Sequence, residues 1–214
     1  MTKDRMVWID LEMTGLDLGS DEIVEIACIV TEADLTELDE GIDIVVKANP
    51  EPLAAMDEFV VNMHKASGLI DEITSGTTLA DAQRQVLAYI QVHVPEAGKA
   101  QLAGSSVYVD RGFLAKYLPE LDSYLHYRLI DVSSIKELTR RWYPRVYFGA
   151  PEKTGNHRAL ADIRESIAEL RYYRDAVFVA QPGPDSEVAK ALGKSHIVDH
   201  AGPAHPNSGT GSVG

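Results

Sequence analysis

"WIDLEMTGL", residues 8–16, sets Asp10 and Glu12 two positions apart inside a run that otherwise reads as a buried strand. Val7, Trp8 and Ile9 precede or adjoin the pair, and Leu11 and Met13 interleave with it. Side chains alternate across a strand, so Val7, Ile9 and Leu11 share one face while Trp8, Asp10 and Glu12 share the other. Two neighbouring carboxylates on one face repel. Burying them unpaired is costly, and they then tend to protonate. A divalent cation removes the conflict, and carboxylate oxygens suit hard ions such as Mg²⁺ or Mn²⁺. Taken alone, D-x-E more often marks a solvated strand face or an arginine-paired dyad, because the pattern is common by chance.

Two further carboxylates and a histidine shift that balance. Asp110 follows the strand-like "QLAGSSVYV" (101–109), at an expected strand-to-helix junction. Asp162 lies in "HRALADIRESIAELRYYRDAVFV" (157–179), a long amphipathic helix by its spacing, five residues after His157. Five residues of regular helix turn through roughly 500°, so side chains five apart point about 140° from each other. His157 and Asp162 can therefore serve one site only if His157 precedes the helix, at the end of the loop "KTGN", with Asn156 or His157 near the N-cap.

The rest of the chain supplies a scaffold for these groups. "EIVEIACIV" (22–30) and "GIDIVVKA" (41–48), rich in Ile and Val, read as strands that complete an antiparallel meander with residues 6–13, and "LDLGSD" (16–21) is turn chemistry. Helical spacing follows in "AAMDEFVVNMHKASGL" (54–69) and in "TTLADAQRQVLAYIQVHV" (77–94). In the second, Thr78 is the expected N-cap, with Asp81 three residues on and Val86, Leu87 and Ile90 on one stripe. "DRGFLAKYLPEL" (110–121) reads as helix, "YRLIDV" (127–132) as a short strand, and "SSIKELTRRWY" (133–143) as a helix that Ser133 can cap. "RVYFGAPEKTGN" (145–156) reads as a loop. Strands first, then strands alternating with helices, predict an α/β protein with a mixed sheet flanked by helices.

Bulk properties narrow the function. A chain of 214 residues with 45% hydrophobic content holds one domain with a real core or two small ones. The single cysteine, Cys28 in "EIACIV", excludes an internal disulfide and reads as a small core residue. "MTKDRMVWID" lacks the apolar region of a signal peptide, and no apolar run approaches the roughly 20 residues of a membrane span. A soluble protein in the reducing cytoplasm, with no membrane partner, is the expectation. The formal charge of -13 argues against wrapping a long nucleic acid, while leaving room for a short one or one held through cations. Arg128 to Arg164 carries eight Lys or Arg against four Asp or Glu. Charge alone favours a solvated helix face there over an anion site. From Pro182 the composition turns to Gly, Pro, Ser and His. Residues 182–214 are expected to be mostly disordered, with at best a short helix near "DSEVAKAL" (185–192). "HIVDH" (196–200) has a helical metal-binding spacing, but without surrounding structure it is not a site.

"WIDLEMTGL", then "DRGFL" with its Asp, then "HRALADIRESIAELRYY" resemble the DEDDh 3′→5′ exonucleases in motif order and type. Within that superfamily the chain is similar to the oligoribonucleases over about residues 6–180, through "IDLEMTGLD", "HYRLIDVSSIKELTRRWYP" and "HRALADIRESIAELRYYR". The resemblance implies a ribonuclease-H-like fold over residues 1–181, a homodimer, and 3′→5′ hydrolysis of short single-stranded RNA, dinucleotides above all. It implies that Asp10, Glu12, Asp110 and Asp162 hold two divalent cations, Mg²⁺ or Mn²⁺, and that His157 is the general base. The chemistry agrees. Two cations about 4 Å apart serve both the attacking and the leaving oxygen of an in-line displacement, and an imidazole, with an ordinary pKa of about 6.5, accepts a proton near neutrality.

By the same resemblance, Leu16 wedges against a base and Phe59 stacks on its neighbour. The family often has Trp at the second position, so Phe59 stacks with less area. Core packing is the ordinary alternative for both. His64 matches a substrate-side histidine, and Ser106, Arg128 and Ser133 match residues that cap a 5′-phosphate. Tyr127 matches a tyrosine that reaches across the dimer, although "HYRLID" by itself is an ordinary half-buried strand. Met13 and Thr14 offer backbone contacts to the terminal ribose. Two competing functions are a DNA-directed proofreading-type exonuclease of the same fold and a catalytically silent interaction module. Matched RNA and DNA dinucleotides separate the first, and hydrolysis of a 5′-phosphorylated dinucleotide with Mg²⁺ separates the second.

Overall fold

The computed structural model of the chain describes residues 4–152 and 157–197. Five strands, β1 (Met6–Met13), β2 (Ile23–Thr31), β3 (Ile42–Val45), β4 (Gln101–Gly104) and β5 (His126–Asp131), form one sheet in the order β3-β2-β1-β4-β5. β1–β2 and β2–β3 pair antiparallel, whereas β4 runs parallel to β1 and β5 parallel to β4. This is the mixed, ribonuclease-H-like sheet that the motif order implied.

β1 is central, and its two faces are those that strand alternation requires. Val7, Ile9 and Leu11 pack with Val86 and Ile90 of α4 (Leu79–His93) and with Phe113 and Leu114 of α5 (Tyr108–Tyr117). Trp8 packs on the opposite face with Ile163, Ile167 and Tyr173 of α9 (Ala159–Val177) and with Val132, the first residue of α7 (Val132–Trp142). The Trp8 indole N–H is satisfied by Thr31 Oγ1 at 3.0 Å. With helices on both sides, β2 is buried along its whole length, which accounts for its unbroken Ile/Val run. Cys28 lies in that core, as expected of it.

The structure departs from the sequence expectations at several points. The expected helix over 54–69 is three short ones, α1 (Pro50–Ala55), α2 (Glu58–Ala66) and α3 (Leu69–Glu72). Asp57 restarts the helix by accepting from Val60 N, and Gly68, at φ +77°, breaks it in a left-handed conformation that other residues resist. The strand expected over 101–109 stops at Gly104, and Tyr108 opens α5, so Asp110 lies within the first turn of a helix. "VYV" suits either state, and the turn at Ser105–Ser106 decides it, with Ser106 at φ +52° and Val109 N donating to Ser106 O. Asp131, not Ser133, caps α7, because its carboxylate accepts from Ser133 N. Part of the expected 145–156 loop is α8 (Pro144–Phe148), which follows α6 (Pro119–Tyr124) and α7 in the chain. The capping of α4 by Thr78 is as expected, with Asp81 N donating to its hydroxyl.

Residues from Val179 onward form a second unit. Its described part contains α10 (Ser186–Ser195), capped by Asp185 and longer than the helix expected near 185–192. The remainder of the expected disordered tail, residues 198–214 with the second histidine of "HIVDH", lies outside the described residues, as does Asn156. No described helix is long and apolar enough to cross a membrane.

Candidate active site

Three elements bring acidic groups to the C-terminal end of β1. Asp10 and Glu12 come from β1 itself. Asp110 arrives from the first turn of α5, and its Oδ1 accepts from Leu11 N at 3.0 Å, which fixes α5 to the strand between the two β1 carboxylates. Asp162 comes from the first turn of α9. His157 stands two residues before α9, at φ +48°, so it escapes the 140° divergence that a continuous helix would impose. Donor atoms of Glu12, His157 and Asp162 all lie within 4.8 Å of one another.

The electrostatics of this cluster are unfavourable to its charges. Removal from water, then the charges of Asp110, Asp162, Glu12 and Glu25, raise the Asp10 carboxyl well above the usual range. Burial, then Asp162, Glu25 and Asp110, push Glu12 up to about 8. Burial pushes Asp110 up to about 7, although the hydrogen bond from Leu11 opposes the shift. Among the described residues no Lys or Arg forms an ion pair with Asp10, Glu12 or Asp110. His64 Nδ1 is buried, lacks a hydrogen-bond partner and lies 3.9 Å from Glu12 Oε2. Hard oxygen donors on Asp10, Glu12 and Asp110 with no lysine or arginine paired to them, beside an orphaned buried nitrogen, fit divalent cations.

Of the residues matched to substrate contacts, His64, Met13 and Thr14 stand at the end of β1 beside this cluster, whereas Tyr127 and Arg128 lie on β5. Leu16 and Phe59 are 72% and 74% exposed, so neither is a core residue. His64 is fully buried and its Nε2 bonds Met13 O at 2.9 Å, which ties α2, the helix carrying Phe59, to the end of β1. Burial holds the His64 imidazole below its usual pKa, and a neutral ring facing a carbonyl carries its proton on Nε2. Backbone groups at Met13 and Thr14 are partly committed, since Thr14 N donates to Glu22 O and Met13 O accepts from His64. The Thr14 hydroxyl braces the β1–β2 turn by donating to Asp21 Oδ1 and accepting from Glu22 N. A Cβ at Gly15 would displace the Asp21 carboxylate from its bonds with the Thr14 hydroxyl and Asp17 N.

Ser106 and Ser133 meet, with Oγ atoms 3.1 Å apart. Asp131 Oδ1 accepts from both their backbone N–H groups, at 2.9 and 3.1 Å. Arg128 lies on the exposed edge strand β5, where its Nε donates to Tyr127 OH at 3.1 Å and its guanidinium sits 5.4 Å from the Tyr127 ring centroid. Tyr127 is 75% exposed. Further along the Arg128–Arg164 stretch, Arg140 and Arg141 pair with Glu137 and Arg164 with Glu37, so much of that charge is an ordinary paired surface.

Sequence reasoning missed Glu25, Arg158 and Asp131. Glu25 faces Glu12 across the β1–β2 register and is 0% exposed. Its signal was a lone charge inside "IVEIACIV", but only the pairing of the two strands puts it beside the site.

The chain matches the exonuclease family model over residues 7–170. It is 62% identical to the oligoribonuclease of Streptomyces avermitilis over 195 residues, which is 91% of this chain and 98% of that one. It is 63% identical to that of Streptomyces coelicolor with the same coverage, and 59% identical to that of Rhodococcus jostii over 94% of this chain and all of the other. Among solved structures, an exonuclease I superposes with a TM-score of 0.63 at 14% identity, covering 80% of this chain and 41% of that one. A complex of E. coli exonuclease I with single-stranded DNA gives a TM-score of 0.62 at 16% identity, covering 81% and 40%. At those identities the likeness is one of fold, and the chain spans about two-fifths of those longer proteins. The family match over most of the domain and the close relatives along nearly their whole length place this chain in the oligoribonuclease family of exonucleases.

Proposed function

We propose that the protein is a 3′→5′ exoribonuclease that hydrolyses short oligoribonucleotides, 5′-phosphorylated dinucleotides above all, to nucleoside 5′-monophosphates. The observation that carries this reading is the convergence of Asp10, Glu12, Asp110 and Asp162 with His157 and with no lysine or arginine paired to the first three. Hydrolysis of a 5′-phosphorylated diribonucleotide in the presence of Mg²⁺ or Mn²⁺ tests it, with the matched DNA dinucleotide alongside. Release of mononucleotides from RNA is the expected result, and no turnover of either substrate refutes it. Exonuclease I structures with single-stranded DNA make the DNA comparison necessary.

Asp10, Glu12, Asp110 and Asp162 would hold two divalent cations. When bound, such cations would supply Lewis-acid activation of a water and charge stabilisation at the departing 3′-oxygen. His157 takes the proton from the water, as its position ahead of α9 and beside Glu12 and Asp162 allows. Leu16 and Phe59, both projecting into solvent, grip the two bases, and stacking on an exposed aromatic is tolerant of base identity. Residues 1–181 carry this activity, with 182–214 as an appendage. The proposed setting is the cytoplasm, where short RNA is produced.

Preference for very short RNA has a physical basis. A surface at -13 repels a long polyanion, so added nucleotides bring repulsion. The joined hydroxyls of Ser106 and Ser133, with the Arg128 guanidinium, supply charge-assisted hydrogen bonds to a terminal phosphate. Arg128→Ala is expected to lose most of the preference for dinucleotides and to stop distinguishing 5′-phosphate from 5′-hydroxyl ends. kcat/KM for two- to seven-nucleotide RNAs with both proteins checks this, and an unchanged length preference in the variant refutes the cap.

The site is completed by a second copy of the chain. Tyr127 projects from an edge strand, and Leu138, Trp142 and Phe148 are also exposed, an apolar surface of the kind that proteins cover. Mixing two inactive proteins, Tyr127→Ala and Asp110→Ala, is expected to restore activity, because one site of a heterodimer then has both groups intact. Heterodimer formation without activity places Tyr127 outside the partner's site.

A further inference from the structure

We propose that Glu25 and Arg158 act together as a positioning device, an ion pair of a buried Glu25 with a partly exposed Arg158 that seats the start of α9 so that His157 and Asp162 meet Glu12. The inference rests on the exonuclease reading of that site. α9 begins without help from its own cap residue, because Arg158 provides no side-chain acceptor for the first N–H groups. Glu25 takes that role from β2. Its Oε2 accepts from Ala159 N at 2.9 Å while its Oε1 accepts from Arg158 Nε at 2.7 Å. One carboxylate thus holds two consecutive residues, by a charge-assisted bond to a guanidinium and a bond to a helix N-terminus.

The location of this anchor is informative. Glu25 is paired in register with Glu12, so α9 is fixed at the level of the acidic cluster. The opposite edge of the Arg158 guanidinium reaches Glu72, at the end of α3, with contacts of 3.1 and 3.4 Å, and Asp43 Oδ2 on β3 lies 4.0 Å away. Arg158 therefore gathers β2, β3 and α3 around the first residue of α9. His157 directly precedes Arg158 and holds a left-handed backbone conformation that a residue with a Cβ keeps only when its surroundings impose it. Asp162 follows four residues later, one helical turn into α9. Without the clamp both groups shift together relative to Glu12, and a displacement of about 1 Å can cost on the order of 10²-fold in rate. Glu25 is 0% exposed, so removing Arg158 leaves its buried carboxylate without its cationic partner.

The test uses Arg158→Ala, Arg158→Lys and Glu25→Gln in the full chain, with a 5′-phosphorylated diribonucleotide and saturating Mn²⁺. Arg158→Ala is expected to lower kcat by about 10²-fold with KM within about threefold of wild type, the pattern of lost alignment. Free guanidinium ion is expected to raise kcat of this variant several-fold, and not that of wild type. Arg158→Lys, which keeps the charge without the fork, is expected to fall between the two. A folded Arg158→Ala with wild-type kcat, with a loss in KM alone, or without any rescue overturns the proposal. Should Arg158→Ala fail to fold, Arg158→Lys and Glu25→Gln decide. A kcat loss of at least about tenfold at unchanged melting temperature supports the clamp, and wild-type kcat in both overturns it. An inactive wild-type protein refutes the exonuclease reading itself, whereas an active wild type with indifferent variants refutes only the clamp.

Discussion

Asp110→Asn abolishes turnover, by at least about 10²- to 10³-fold, the scale for removing one electrostatic contributor to a transition state, and leaves the fold intact. Asn is the informative substitution because its side-chain oxygen still accepts from Leu11 N, whereas Asp110→Ala strands that buried N–H. Asp110→Ala is equally inactive, and relief of repulsion in it is offset by the lost hydrogen bond. Both variants bind divalent cations more weakly. Near wild-type activity in either removes Asp110 from the site.

A stability signature accompanies this. The carboxyls of Asp10, Glu12 and Asp110 are raised above their ordinary range, Glu12 to about 8 and Asp110 to about 7. The folded state therefore holds protons that the unfolded chain releases near pH 4. Stability falls wherever the folded state binds more protons than the unfolded state. These groups destabilise the metal-free protein progressively as pH rises through the interval from their ordinary values to about 8. Melting temperature in EDTA is expected to drop from pH 5 to pH 8, and less steeply in Asp110→Asn. Adding Mg²⁺ or Mn²⁺ is expected to raise it more at pH 8 than at pH 5. A metal-independent profile, or one that rises over this range, shows that the cluster is not a cation site.

The second large effect is at His157. His157→Ala is expected to cut kcat by about 10²-fold or more, the range for a positioned general base, while metal affinity survives. Activity of the variant rises with pH as hydroxide takes over from the imidazole. The structure makes the alternative concrete, because the His157 ring lies close enough to Glu12 and Asp162 to be a ligand with them. Isothermal titration with Mn²⁺ separates the two. A large fall in affinity makes His157 a ligand, whereas intact binding with low kcat makes it the base.

Local periodicity determined a good deal. Strand alternation assigned Val7, Ile9 and Leu11 to one side of β1 and Asp10 and Glu12 to the other, and the hydrophobic clusters on the two faces of β1 respect that division. The 3.6-residue repeat required His157 to stand outside the helix that holds Asp162, and α9 begins at Ala159. Thr78 was recognisable as a cap because capping is a contact over three residues. What the sequence left open were choices between states of similar local energy. "VYV" goes to helix because the turn at Ser106 ends β4 early, and residues 54–69 break where Asp57 and Gly68 offer a cap and a left-handed turn. Exposure was equally undetermined. Phe59 and Leu16 have the residue types of a core, and only the packing of α2 and of the β1–β2 turn leaves them in solvent. Glu25 and Arg158 stand 133 positions apart, and no local pattern couples them. Strand pairing brings Glu25 opposite Glu12, and the path of α9 across the sheet brings Arg158 to it. A buried charge finds its partner through the tertiary fold, because the low dielectric that makes the pair necessary exists only once the chain has closed around it.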